Sequence, residues 1–170
     1  MALEVDFSVS DALASKDDDV SQWPSPDQIR HWAQHAFLAG DDRAACVQVV
    51  SEGEMQQLNH DWRGKDASTN VLSFPMSLEH APDTSLFDGV EQPPLAPIGD
   101  IALCASVINR EAKQQHKSAE AHWAHMVVHG MLHLQGYDHI DDKDADAMEA
   151  LEIKILRTLG YENPYNNSHE

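Results

Sequence analysis

The run His129-Gly130-Met131-Leu132-His133-Leu134-Gln135-Gly136-Tyr137-Asp138-His139 constrains the fold more than any other stretch of the chain. Residues four apart lie one turn apart on the same face of an α-helix, so the imidazoles of His129 and His133 converge if this segment is helical. Gly136, three residues on, can take the left-handed conformation that ends a helix, and the reversal brings His139 back to the same point. Three histidines with a fourth position left open form a catalytic zinc pattern, the kind that lowers the pKa of a bound water toward neutrality. Of the eleven histidines, His31 and His35, His125 and His129, and His122 and His125 also stand at helical spacing. None of those pairs is followed by a glycine turn and a third histidine, and most of these residues read as solvated or satisfied polar side chains.

The same register of histidines and glycine occurs in metzincin proteases, but those have a glutamate next to the first histidine as general base. This chain has Gly130 there, which has no side chain to move a proton, so proteolysis is disfavoured. Three neutral imidazoles leave the double charge of the ion uncompensated, which suits an anionic substrate such as a phosphodiester.

A chain of 170 residues is long enough for one domain with a proper core and short for two. Cys46 and Cys104 stand in separate apolar runs, without Cys-x-x-Cys spacing or a secretory signal before them. They read as buried thiols in a reducing compartment. With no apolar run of about 18 residues, the expectation is a soluble cytoplasmic protein with no membrane partner. The net charge of −18 speaks against a nucleic-acid partner on its face. Acids, however, gather at Asp17-Asp18-Asp19, around Asp83, Asp88 and Glu91, and from Asp141 to Asp146, whereas Arg63, Lys65, Arg110, Lys113 and Lys117 lie among few acids. Those bases form either a local basic patch or ordinary solvated surface.

Leu3 to Val9 alternates with period two and predicts a strand, followed by a polar, acidic connection through Ser21. Pro24-Ser25-Pro26-Asp27 then opens a helix whose Ile29, Trp32, Ala33, Ala36 and Phe37 recur at helical spacing until Gly40. Strands are expected at Ala45–Val50, Val71–Phe74 and Ile98–Leu103, with a short helix carrying Met55 and Leu58 and an extended loop from His80 to Pro97. From Ser106 the chain reads as helical, with a break near Lys117-Ser118, a largely buried histidine helix, and an amphipathic closing helix between Asp141 and Gly160. The expected fold class is α+β: a single compact domain, residues 1–170, with a roughly four-stranded mixed sheet packed with four to five helices. An α/β sandwich is the other reading at this level, and strand order is not recoverable.

Asn59 to Pro75, Asn-His-Asp-Trp-Arg-Gly-Lys-Asp-Ala-Ser-Thr-Asn-Val-Leu-Ser-Phe-Pro, places charged and turn-forming residues immediately before a buried strand, where loops often carry function. With Ile98-Gly99-Asp100-Ile101, the whole of His129 to His139, and Leu159-Gly160-Tyr161 with Pro164-Tyr165, this segment resembles the YbeY family of bacterial rRNA maturation factors, metal-dependent endoribonucleases. The resemblance implies a compact α+β fold and one zinc ion per chain on His129, His133 and His139. It implies Arg63 and His129 as catalytic residues and a single-strand-specific action on RNA in rRNA maturation, at the 3′ end of 16S rRNA, and in ribosome quality control. It also implies ribosomes or ribosomal proteins as partners. One departure is Asn70, where the family commonly has aspartate before the Val-Leu-Ser-Phe strand; asparagine can replace a cap or turn residue, but not one that handles protons.

The residues alone leave open whether Arg63 makes a surface salt bridge or holds phosphate oxygens, and the resemblance selects the second. Asp138 reads as a turn residue or an orienter of a ligand imidazole, and Asp100 as a turn or cleft-side residue. The leading function is a zinc-dependent endoribonuclease in which metal-bound water or a metal-activated ribose hydroxyl attacks the phosphodiester. The alternative is a ribosome-assembly factor whose metal is mainly structural.

Overall fold

The computed structural model describes residues 3–10, 24–38, 42–76, 96–137 and 142–165. Of the expectations above, the acidic connection to Ser21, most of the His80–Pro97 loop, Asp138 and His139 lie outside these residues. Four strands are formed, β1 (Leu3–Val9), β2 (Arg43–Val50), β3 (Val71–Pro75) and β4 (Ala96–Cys104). They make one mixed sheet in the order β1-β2-β4-β3, with β1, β2 and β4 parallel and β3 antiparallel to β4 at the edge. The helices among the described residues are α1 (Pro26–Ala36), α2 (Glu52–Arg63), α3 (Ala105–Gln114), α4 (Ala119–Leu134) and α5 (Asp142–Thr158). This is the α+β architecture expected.

Strand alternation decides which face meets the helices. On β1 and β2, Leu3, Val5, Ala45, Val47 and Val49 are buried, while Glu4, Asp6, Cys46 and Gln48 point the other way and are exposed. The expectation that both cysteines are buried therefore holds for Cys104 alone, because Cys46 has the outward parity of its strand. The apolar face is covered by α1 and α4, whose Ile29, Trp32, Trp123, Val127, Met131 and Leu132 join it in the main core. Each such side chain contributes roughly 1.5–3 kcal/mol by leaving water, so α4 is fixed firmly in place. A smaller cluster of Val50, Met55, Leu72, Ala102, Cys104 and Val107 seats α2 on the opposite side.

Local chemistry sets the helix ends. Ser25 with Gln28 and Ser51 with Glu54 form capping boxes at the starts of α1 and α2, and Ser118 accepts from the Ala121 amide to open α4. The break expected near Lys117-Ser118 is thus a true helix boundary. Gly99 is the residue that β4 needs: its φ is +143°, and a Cβ there would lie 2.3 Å from the Phe74 carbonyl oxygen. It sits where the β2–β4 register slips between Ala44 and Ala45, an irregularity that lets β3 pass close beside β4.

Candidate functional site

Helix α4 is buried on most of its circumference, and His129 and His133 stand where that burial is incomplete. Their Nε2 atoms lie 3.1 Å apart. Two nitrogens so close share either a proton or an ion. Two ligands of one tetrahedral zinc, at about 2.0–2.1 Å from it, stand about 3.3 Å apart, so the pair is already spaced to receive one. The helix stops as its glycine requires: Gly136 has φ +98°, and the Tyr137 amide donates to the Leu132 carbonyl at 3.0 Å. Gln135 ties this turn to α1, donating to the Ala36 carbonyl at 2.7 Å and accepting from the Leu38 amide at 2.7 Å. The helix thereby ends just beyond the second histidine, while the third ligand expected from the sequence, His139, lies outside the described residues.

Arg63 belongs to the last turn of α2, not to a loop as its polar neighbours suggested. Gly64 (φ +70°) caps the helix immediately after it, at the end where the helix dipole favours a cation. Its Nη2 donates to the Ser73 carbonyl oxygen at 3.2 Å, which aims the guanidinium across edge strand β3. Asn59, 5% exposed, donates to the Ala67 carbonyl at 2.8 Å and anchors the following loop. That loop, β3 and the end of α4 enclose a cleft of about 670 Å³ lined by Arg63, Lys65, His129 and His133 together. No carboxylate is among its described lining residues. In a chain with 29 acids, this cleft presents two fixed positive charges and two imidazoles, which favours an anion.

Behind His129 lies a polar group that sequence reasoning missed. Glu152 of α5, 1% exposed, accepts from His129 Nδ1 at 3.2 Å, from His125 Nε2 at 2.6 Å and from the Tyr165 hydroxyl at 2.5 Å. Burial by itself would raise the Glu152 carboxyl, but the hydrogen bonds from His125 and His129 outweigh it and hold the group at about 2. The same carboxylate raises the Tyr165 hydroxyl, adding to the larger effect of burial. The donor atoms of His125, His129 and Glu152 all lie within 4.8 Å of one another, a group able to hold a metal ion. Seating one between His125 and Glu152 would require their 2.6 Å contact to open by about 0.7 Å, whereas the His129–His133 pair needs about 0.2 Å. In this structure His125 spends its Nε2 on Glu152, and His122, whose pKa burial lowers, reaches Glu111 at 2.9 Å, while the Nδ1 of each is buried without a hydrogen-bond partner among the described residues.

Asn70 fits its site as an amide. Its Oδ1 accepts from the Val71 amide at 2.7 Å, and its Nδ2 donates to the two Glu111 oxygens at 3.0 and 3.3 Å. An aspartate there would face another carboxylate. Asp100 is exposed on β4 and lines a different hollow, with Trp62 and Phe74, instead of the histidine cleft. Of the other bases, Arg110 pairs with Glu52 at 2.8 Å, and Lys117 donates to the Pro164 carbonyl at 2.7 Å. Neither lines the cleft, so the cationic surface there is that of Arg63 and Lys65. The position that would carry a protease base is tight: a Cβ on Gly130 would meet Ile101 side-chain atoms at 3.1 Å, so Ile101 would have to yield by a few tenths of an ångström. Gly130 points at the sheet, and its carbonyl accepts from Ser73 Oγ at 3.2 Å.

Fold and cleft together define a protein of mixed sheet and helices whose cleft sets two cationic side chains beside two imidazoles. The sequence profile of the family described as Endoribonuclease YbeY matches residues 15–160, and the chain belongs to that family. Proteins named Endoribonuclease YbeY are 49% identical over 160 residues in Hydrogenovibrio crunogenus, covering 91% of this chain and 95% of the relative, and 45% identical over 154 residues in Alcanivorax borkumensis, covering 89% and 84%. A third, from Pseudomonas syringae pv. tomato, is 47% identical over 148 residues, covering 85% and 83%. The solution structure of TM1509 from Thermotoga maritima shares the fold, with a TM-score of 0.53 at 23% identity over 95% of this chain and 99% of that one. Among the described residues, no helix is long and apolar enough to cross a membrane.

Proposed function

We propose that residues 1–170 form a single-domain, zinc-dependent endoribonuclease that cuts single-stranded RNA, acting in the cytoplasm on ribosomal RNA, including the 3′ end of 16S rRNA, and in ribosome quality control. Ribosomal proteins or the ribosome itself would supply its context. The observation that carries this reading is the cleft in which His129, His133, Arg63 and Lys65 meet without a carboxylate among the described lining residues. One zinc ion per chain would be held by His129 and His133, with His139 as third ligand. When bound, it supplies Lewis acidity toward phosphate and hydroxyl oxygens. Arg63, already held against Ser73, reaches phosphate oxygens with a planar pair of donors and stabilises charge that grows on them as the phosphodiester is attacked. His129 serves as a metal ligand at the reacting centre and Lys65 as a further anchor for the RNA backbone.

Arg63 carries no electron pair to donate, so its loss should spare the metal. Arg63→Ala is expected to keep wild-type zinc content and cooperative unfolding while cleaving single-stranded RNA at least about tenfold more slowly, which corresponds to about 1.4 kcal/mol in the transition state. Arg63→Lys should recover only part of the rate, because lysine keeps the charge but not the two-pronged geometry. Wild-type cleavage by Arg63→Ala at equal zinc occupancy would remove the catalytic role and favour the second reading, a ribosome-assembly factor whose metal is mainly structural. That reading draws on the lack, among the described cleft residues, of a carboxylate to act as general base.

A further inference from the structure

We propose that Glu152 is the positioning residue of the metal site: by accepting the Nδ1 proton of His129 it leaves the Nε2 lone pair of that ring facing the cleft. The proposal rests on the reading that His129 and His133 hold the ion. Glu152 comes from α5 and stands 23 residues beyond His129, outside the histidine motif. A buried carboxylate accepts and does not donate, so each of its three neighbours must supply a proton. His125 does so from Nε2, since its Nδ1 is buried with no hydrogen-bond partner among the described residues. Tyr165 does so from its hydroxyl, and His129 from Nδ1. A neutral imidazole protonated at Nδ1 has its free electron pair on Nε2. That is the atom 3.1 Å from His133 Nε2. Carboxylates behind ligand histidines fix tautomer and orientation in this way and raise the basicity of the ligating nitrogen.

The count of donors and acceptors also predicts what an amide would do. Two donors, His125 and Tyr165, meet Oε1, and one, His129, meets Oε2. In Glu152→Gln the single oxygen is claimed by the pair, and the amide NH₂ is left facing His129 Nδ1. That nitrogen must then accept, its proton moves to Nε2, and the lone pair needed for the ion is lost.

The test is the ring tautomer of His129, read from long-range ¹⁵N–¹H NMR spectra of the metal-free protein and assigned with His129→Asn, together with zinc affinity by chelator competition. Wild type should show the Nδ1–H form and Glu152→Gln the Nε2–H form, with zinc held at least about tenfold more weakly by the variant. Glu152→Met, which offers no acceptor at all, should also lose the Nδ1–H preference and serves if the glutamine variant does not fold. A Glu152→Gln protein with the Nδ1–H tautomer and wild-type zinc affinity would overturn the proposal. Failure of the wild-type protein to bind zinc would overturn the metal reading beneath it, and the tautomer measurement, made without metal, separates the two failures.

Discussion

His133→Ala protein is expected to retain less than about a tenth of the wild-type zinc and to cleave single-stranded RNA at least about a hundredfold more slowly, equivalent to about 2.7 kcal/mol in the transition state. The ring it removes lies at the edge of the cleft and is only partly buried, so little core is lost. Its Nε2 is one half of the converging pair. In the presence of a chelator, wild type and variant should therefore unfold within a few degrees of each other, whereas without it only the wild type should gain stability from added zinc. Elemental analysis and thermal unfolding check both statements. Stoichiometric zinc in His133→Ala, lost instead on replacing His125, would place the ion in the buried group with Glu152.

Gly130→Glu should unfold the protein or lower its stability by at least about 3 kcal/mol, and it should create no peptidase activity. The helix approaches β4 through the space a side chain would need, since a Cβ already meets Ile101 at 3.1 Å. Overpacking of this kind costs about 1–3 kcal/mol, and an unpaired carboxylate at that interface adds a desolvation penalty of several more. Gly130→Ala separates size from charge. Ile101 must yield by a few tenths of an ångström, while alanine gains roughly 1 kcal/mol in helix propensity, so its net effect should lie within about 1 kcal/mol of zero. Denaturant unfolding of the two variants measures the difference, and a Gly130→Glu protein as stable as wild type would show that the contact with Ile101 is not tight.

How much of this was legible in the sequence depends on whether the signal was local. The pairing of His129 with His133 and the stop at Gly136 follow from helical period and glycine stereochemistry, both of which act within a few residues. Glu152 was hidden because an acid in an acid-rich amphipathic helix looks like solvated surface, and only the packing of α5 on α4 turns it inward. Arg63 looks like loop in the sequence because the apolar stripe of α2 ends at Leu58, yet the capping box at Ser51 and the glycine cap at Gly64 carry the helix about one turn further through mostly exposed residues. Cys46 misleads for a different reason: the apolar run around it marks a strand, but only counting alternate residues assigns the face. The antiparallel placement of β3 at the sheet edge depends on long-range pairing, which no short pattern encodes.

Net charge is a poor guide here for the same reason that composition is. Repulsion between a −18 chain and RNA falls off over a Debye length of about 8 Å at physiological salt, so what matters is the local field at the cleft. There Arg63 and Lys65 face the imidazoles with no described carboxylate among the lining residues.

Metal held in this cleft is proposed to perform RNA cleavage. The most direct measurement is the cleavage rate of a single-stranded RNA by highly purified, metal-stripped protein as zinc is restored from zero to one ion per chain, with His133→Ala prepared in parallel as a control for contaminating ribonuclease. A rate that climbs in proportion to bound zinc, levels off at one ion per chain and is missing from His133→Ala is the expected result. A rate independent of bound zinc, or equal in the two proteins, would contradict it.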